Sequence, residues 1–129
     1  MRICIDTNAY SSIGRANADV ISIVEMADEV IMPATVLGEL MFGFLKGGRL
    51  ERNESALDRF LQEDSVRLQP VTREIAERYG YVKAALVKKG TPIPENDIWI
   101  AATALELGAR LLSYDSHFDR VGGLVRIAP

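Results

Sequence analysis

The chain has 129 residues, 48% of them hydrophobic, with a formal net charge of −3 and one cysteine. That length accommodates a single domain over residues 1–129 with a real core, and no second domain. The acidic balance excludes a protein that coats nucleic acid non-specifically, the lone Cys4 excludes an internal disulfide, and no apolar run approaches membrane-spanning length.

In chain order, Met1-Arg2-Ile3-Cys4-Ile5-Asp6 meets an acid too soon for a signal-peptide core, which points to the cytoplasm and to no membrane partner. Ile3-Cys4-Ile5 predicts a strand buried on both faces, with Cys4 a small core residue in a reducing compartment. Asp6-Thr7-Asn8 ends it. In open α/β sheets ligands bind at the carboxyl edge, so Asp6 stands where chemistry is done. Thr7 or Asn8, being nearer the next helix, is expected to cap it, leaving Asp6 free.

Val20, Ile23, Val24 and Ala27 form a helical stripe, Val30-Ile31-Met32 a second strand, and Pro33 its stop. From Ala34 to Lys46 a helix carries Val36, Leu37, Leu40, Met41, Phe44 and Leu45 on a broad apolar face, and Gly47-Gly48 should close it in a left-handed cap. Phe42, Phe44 and Leu45 exceed what one helix of so small a domain can bury, which predicts association, most simply a homodimer. Glu39 lies within this helix, and periodicity alone does not say which way it faces.

A second amphipathic helix runs from Arg49 to Glu63, Val66-Arg67-Leu68 is a brief strand, and Thr72 caps a helix reaching Lys89 with Ile75, Tyr79, Val82 and Leu86 inward. Lys83, Lys88 and Lys89 complement the negative end of that helix, with phosphate contact as the sharper alternative.

Pro94 opens the next helix, where Ile98, Ala101, Ala102 and Leu105 mark one buried face. Its small residues imply close approach to another backbone. Taken alone, Asp97 reads as an acid complementing the positive end of the helix. Ala109 to Ser113 is a strand, and Asp115 in the turn beyond it repeats the position of Asp6. Val125 to Ile127 is the last strand. His117 is the only histidine, and without a cysteine cluster or Ser/His pairing it argues against a zinc site or an acyl-transfer triad.

If the sheet is parallel, Asp6, Glu39, Asp97 and Asp115 converge on one edge. Like charges that close raise one another's pKa, so such a cluster normally holds a hard divalent cation, and oxygen donors select Mg²⁺ or Mn²⁺ over zinc. Thr7, Asn8 and Ser113 would orient the carboxylates from behind. A receiver domain needs an adjacent acidic pair after its first strand and a late lysine, and a haloacid-dehalogenase-type phosphatase needs a second acid where Asn8 stands; the chain offers neither.

These residues resemble a known family. Ile5-Asp6-Thr7-Asn8, Pro33 with Val36-Leu37-Gly38-Glu39-Leu40 and Gly43, Asn96-Asp97 with Ile100-Ala101-Ala102-Thr103-Ala104, and Leu112-Ser113-Tyr114-Asp115 with Phe118 are similar to the PIN-domain ribonucleases, and most of all to the VapC toxins of toxin–antitoxin pairs. Each motif is weak alone, but four in the family's order cover essentially the whole chain. The resemblance implies a three-layer α/β/α fold with a five-stranded parallel sheet and metal-binding acids at Asp6, Glu39, Asp97 and Asp115. It further implies Mg²⁺-dependent cleavage of RNA, with Mn²⁺ a possible substitute, a homodimer, and a cognate antitoxin whose tail blocks the acidic groove. Ser113 departs from the usual threonine but keeps the hydroxyl. Asp119 is either a helper at the metal site or an exposed turn acid. The alternative is a catalytically weak PIN domain that only binds RNA or protein.

Overall fold

The computed structural model describes residues 1–129. The elements in chain order are β1 (Arg2–Ile5), α1 (Thr7–Gly14), α2 (Ala18–Glu25), β2 (Glu29–Pro33), α3 (Ala34–Lys46), α4 (Leu50–Leu61), β3 (Val66–Gln69), α5 (Arg73–Lys89), α6 (Glu95–Glu106), β4 (Arg110–Leu112) and β5 (Arg126–Ile127). A 3₁₀ turn, Ser116–Arg120, lies between β4 and β5. All strand pairs are parallel, in the order β3-β2-β1-β4-β5. No helix is long and apolar enough to cross a membrane.

Successive side chains of a strand point to opposite faces. Ile3, Cys4 and Ile5 are all sealed from solvent, as are Val30, Ile31 and Met32, so helices cover both faces and the fold has three layers. Burying each isoleucine contributes about 1.5–3 kcal/mol. The chain leaves central β1 toward β2 and β3 on one side and returns to β4 and β5 on the other. The order therefore reverses between β1 and β4, and a crevice opens at their carboxyl ends. Ile5 pairs with Leu112, which brings Asp6 and Ser113 level one residue later.

The ends of α5 follow the local chemistry, and the C-terminal end of α3 does not. Thr72 accepts a hydrogen bond from the Ile75 N–H at 3.2 Å and caps α5, which Gly90 closes with φ of +68°. The left-handed cap expected at Gly47 is absent: this residue is extended, with φ −81° and ψ −178°, and its N–H still reaches the Gly43 carbonyl. A further departure concerns α6. Ile98, Ile100, Ala101, Ala102, Thr103 and Ala104 are all buried, so α6 is covered over most of its circumference and not on one face. It packs on β1 and β4 and lies beside α5, where Trp99 stacks on Tyr79 with ring centroids 4.0 Å apart. The one-face pattern missed this because Ala and Thr suit tight packing without announcing it by bulk.

Small residues therefore set how closely α6 approaches its neighbours. Ala101→Leu is expected to destabilise the fold by about 1–3 kcal/mol through overpacking. Urea unfolding of parent and variant checks this, and a loss under about 0.5 kcal/mol would show that α6 has room to spare.

Candidate functional site

Asp6 follows β1 and has two tasks. Its Oδ1 accepts from the Ala9 N–H at 2.8 Å, capping α1, and its Oδ2 accepts from the Ser113 hydroxyl at 2.5 Å. This corrects the expectation that Thr7 or Asn8 caps the helix and leaves Asp6 free. The strand delivers Asp6 in extended backbone, the conformation a cap requires, whereas Thr7 is already helical. Asp6 is almost fully buried, and desolvation pushes its carboxyl above the usual range, opposed by those two hydrogen bonds and assisted by Asp115 and Glu39.

Ser113 is completely buried just beyond β4. While donating to Asp6 it accepts from the Asp115 N–H at 2.9 Å, so one hydroxyl joins the two strand-end acids. Asp115 in turn accepts from the His117 N–H at 2.8 Å, which fixes the 3₁₀ turn. Thr7, at the start of α1, donates to Glu39 Oε1 at 2.8 Å and holds the α3 carboxylate on the Asp6 side of the sheet. The direction that helical periodicity left open for Glu39 is thus set by a partner 32 residues away. Asn8 is exposed and forms no side-chain hydrogen bond, so its predicted orienting role finds no contact here.

Asp97 stands in the first turn of α6 with no hydrogen bond or ion pair to its side chain. It is half-buried, and its pKa is pushed up to about 6, first by desolvation and then by Asp115, Glu39 and Asp6. The four acids share one field. None is bridged by lysine or arginine; His117 Nδ1 lies 3.0 Å from Asp115 Oδ1, and the nearby Arg126 guanidinium is turned to Asp119 and the Ser113 carbonyl.

Beside the acids a cleft of about 720 Å³ is lined by Thr7, Thr35, Glu39, Phe42, Asn96 and Trp99, among others. Another groove, of about 410 Å³, runs between α5 and Gly122-Gly123 and contains none of the four carboxylates. Asp119 is drawn away from the acids: Arg126 grips both its oxygens at 2.9 Å and holds its carboxyl below the usual range. Lys83 pairs with Glu95, and Lys89 donates to the Arg120 carbonyl, so both are engaged within the chain.

Residues 3–124 match the PIN domain family. The chain belongs to it. Among curated relatives, Ribonuclease VapC1 of Haemophilus influenzae (strain R2866) is 32% identical over 98 residues, covering 75% of this chain and 72% of that protein. Ribonuclease VapC2 of Rickettsia felis is 30% identical over 97 residues, covering 74% and 71%. Among solved structures, VapBC2 from Rickettsia felis bound to a promoter DNA fragment has a TM-score of 0.90 at 25% identity, covering 100% of this chain and 99% of that one. VapBC-1 from nontypeable Haemophilus influenzae has a TM-score of 0.87 at 25% identity, covering 99% and 98%. This PIN domain is thus of the VapC type.

Two features of the site escaped the sequence reading. In the sequence the single His117 counts against a zinc site or an acyl-transfer triad, although its position two residues after Asp115 in a turn is a signal that it can face the same acids. Asn96 and Trp99 share the cleft wall with Glu39, a neighbourhood that requires knowing how α3 meets α6.

The raised Asp97 pKa has a definite sign. Without metal, the native carboxyl takes up its proton before that of the unfolded chain, so this group's contribution is fully present below about 3.8 and is lost as pH rises through about 6. Asp97→Asn should therefore be more stable than the parent at pH 7.5 in chelator by about 1 kcal/mol, discounted because the group is only half-buried, and the gap should close by pH 4. Thermal unfolding at both pH values checks it; a variant less stable at pH 7.5 would mean that Asp97 serves the helix dipole.

Proposed function

We propose that this PIN domain is a divalent-metal-dependent endoribonuclease acting in the cytoplasm as the toxin of a toxin–antitoxin pair. The carrying observation is the convergence of Asp6, Glu39, Asp97 and Asp115 with no lysine or arginine to neutralise them. The donor set fits the ion: clustered carboxylate oxygens, with the Asp6 and Asp97 carboxyls held above their usual range, suit a hard cation such as Mg²⁺, with Mn²⁺ as substitute. The names of the curated relatives, Ribonuclease VapC1 and VapC2, supply the reaction class.

In this reading Asp6, Asp97, Glu39 and Asp115 hold the cation. When bound, it supplies a water of lowered pKa and stabilises charge on a phosphoryl oxygen. The chain's own residues provide the alignment. Ser113 holds Asp6 and the Asp115 backbone in one register, and Thr7 fixes Glu39, so the carboxylates need little rearrangement as charge develops. Trp99 gives the cleft an aromatic surface against which an unpaired base can stack.

The same acids explain a protein partner. Arginine clamps a carboxylate in bidentate fashion, so an antitoxin tail carrying one would occupy the cation's place and inhibit by exclusion. The Rickettsia felis and Haemophilus influenzae structures are VapBC assemblies, in keeping with such a partner.

Asp6→Asn is expected to lower Mg²⁺-dependent RNA cleavage by at least about a hundredfold, and chelator should abolish cleavage by the parent. RNA binding without any cleavage in Mg²⁺ or Mn²⁺ would favour the alternative, a catalytically weak PIN domain serving as a binding module.

Self-association follows from α3. Phe42 is 68% exposed and Leu45 65%, whereas Phe44 packs against the core. Leu45 thus lies outside the buried face assigned to it from periodicity, because that face is narrower than the apolar run. A homodimer covering Phe42 and Leu45 removes this apolar surface from water. Sedimentation at micromolar concentration should show a dimer for the parent and a shift to monomer for Leu45→Glu; a parent that is monomeric throughout removes the proposal.

A further inference from the structure

His117 has an unusual setting. Asp97, Asp115 and His117 each offer one ligand atom, and these atoms lie within 4.8 Å of one another. The imidazole Nδ1 is 3.0 Å from Asp115 Oδ1, close enough for an ion pair, yet it is shielded from solvent and aligned for no hydrogen bond. Asp115 Oδ1 already accepts from the His117 backbone N–H at 2.8 Å. The His117 side chain is 43% exposed but its Nδ1 is not, and a ligand that bonds to this nitrogen would satisfy it.

The separation fits two ligands of one ion. Two donor atoms at right angles on an octahedral ion, each about 2.1 Å from it, are about 3.0 Å apart. That is the Nδ1–Oδ1 distance found, 3.0 Å, without the alignment of a hydrogen bond. The backbone that carries the ring is fixed, since its N–H is tied to the Asp115 cap and the adjacent Phe118 is anchored in the core, while the imidazole itself is 43% exposed.

We propose that His117 Nδ1 is a direct ligand of the cation held by Asp97 and Asp115, so that the site includes a nitrogen donor and favours Mn²⁺ over Mg²⁺. The proposal rests on the metal-dependent reading above and narrows it. Mg²⁺ keeps its water and takes oxygen donors, whereas imidazole suits the first-row transition ions. A set of carboxylates alone would discriminate less between the two. A single histidine argues against a zinc site, yet one nitrogen can stand among oxygen donors.

The test uses the whole chain with Mn²⁺ as the only metal. Pulsed electron paramagnetic resonance of the bound ion should show nitrogen coupling from a directly bound imidazole, and His117→Ala should lose it. By calorimetry the same substitution should weaken Mn²⁺ binding at least about tenfold while weakening Mg²⁺ binding less than about threefold. Mn²⁺ bound with no nitrogen coupling, or with coupling that survives in His117→Ala, overturns the role of His117 and leaves the carboxylate site standing. No Mn²⁺ binding at all overturns both. The measurement on the parent needs no variant, so it is decisive even if His117→Ala folds poorly.

Discussion

The Ser113 hydroxyl is the joint on which the site depends. It lies wholly buried, donates to Asp6 at the end of β1 and accepts from the backbone of Asp115 beyond β4. Parallel pairing of Ile5 with Leu112 makes this possible, because a shift of one residue would send the hydroxyl to the opposite face of the sheet. The reversal of strand order between β1 and β4 creates the crevice, and the Ser113 hydroxyl fixes the carboxylates around it. The α6 helix adds Asp97 only because Ala101, Ala102 and Ala104 let its backbone settle close to its neighbours. Register, close packing and one shared hydroxyl thus act together to hold the acids.

Much of this was legible in the sequence. Ile3-Cys4-Ile5 and Val30-Ile31-Met32 could be read as buried strands because continuous β-prone runs have few other uses, and Asp6 and Asp115 could be placed at one edge because parallel strands share their carboxyl ends. The limits of the reading have physical causes. Cap geometry at Asp6 depends on backbone angles, and proximity to the helix suggested Thr7 instead. The direction of Glu39 is settled by Thr7, far away in sequence. Gly47 follows an apolar helix and looks like a left-handed cap, yet the chain leaves α3 in extended backbone on its way to α4, which packs on α3. His117 was read from composition when its meaning lay in position.

Electrostatics shows how the fold distributes its charges. Arg126 clasps Asp119 through two hydrogen bonds, and Arg2 and Arg67 flank Glu29, so the chain does pair acids with cations where it can. These pairs are partly exposed, and their existence matters here more than their strength. Around Asp6, Glu39, Asp97 and Asp115 the pattern stops. Arg126 is near enough to feel Asp115, but its guanidinium is turned to Asp119 and the Ser113 carbonyl.

An arginine or lysine inserted among those four carboxylates would relieve their repulsion and lower the pKa of Asp97 from about 6. A chain with 15 such side chains has the means, yet none is placed there. Without such a group the cluster is relieved by uptake of a proton at Asp97 or, on the proposed function, by a cation from outside the chain. On the reading proposed above, an ion and a partner's cationic side chain both answer that need at the same carboxylates, so binding of one must weaken binding of the other by an equal free energy. Catalytic readiness and susceptibility to inhibition then have a single origin: an acidic cluster that the fold holds together through Ser113 and Thr7 and leaves unneutralised.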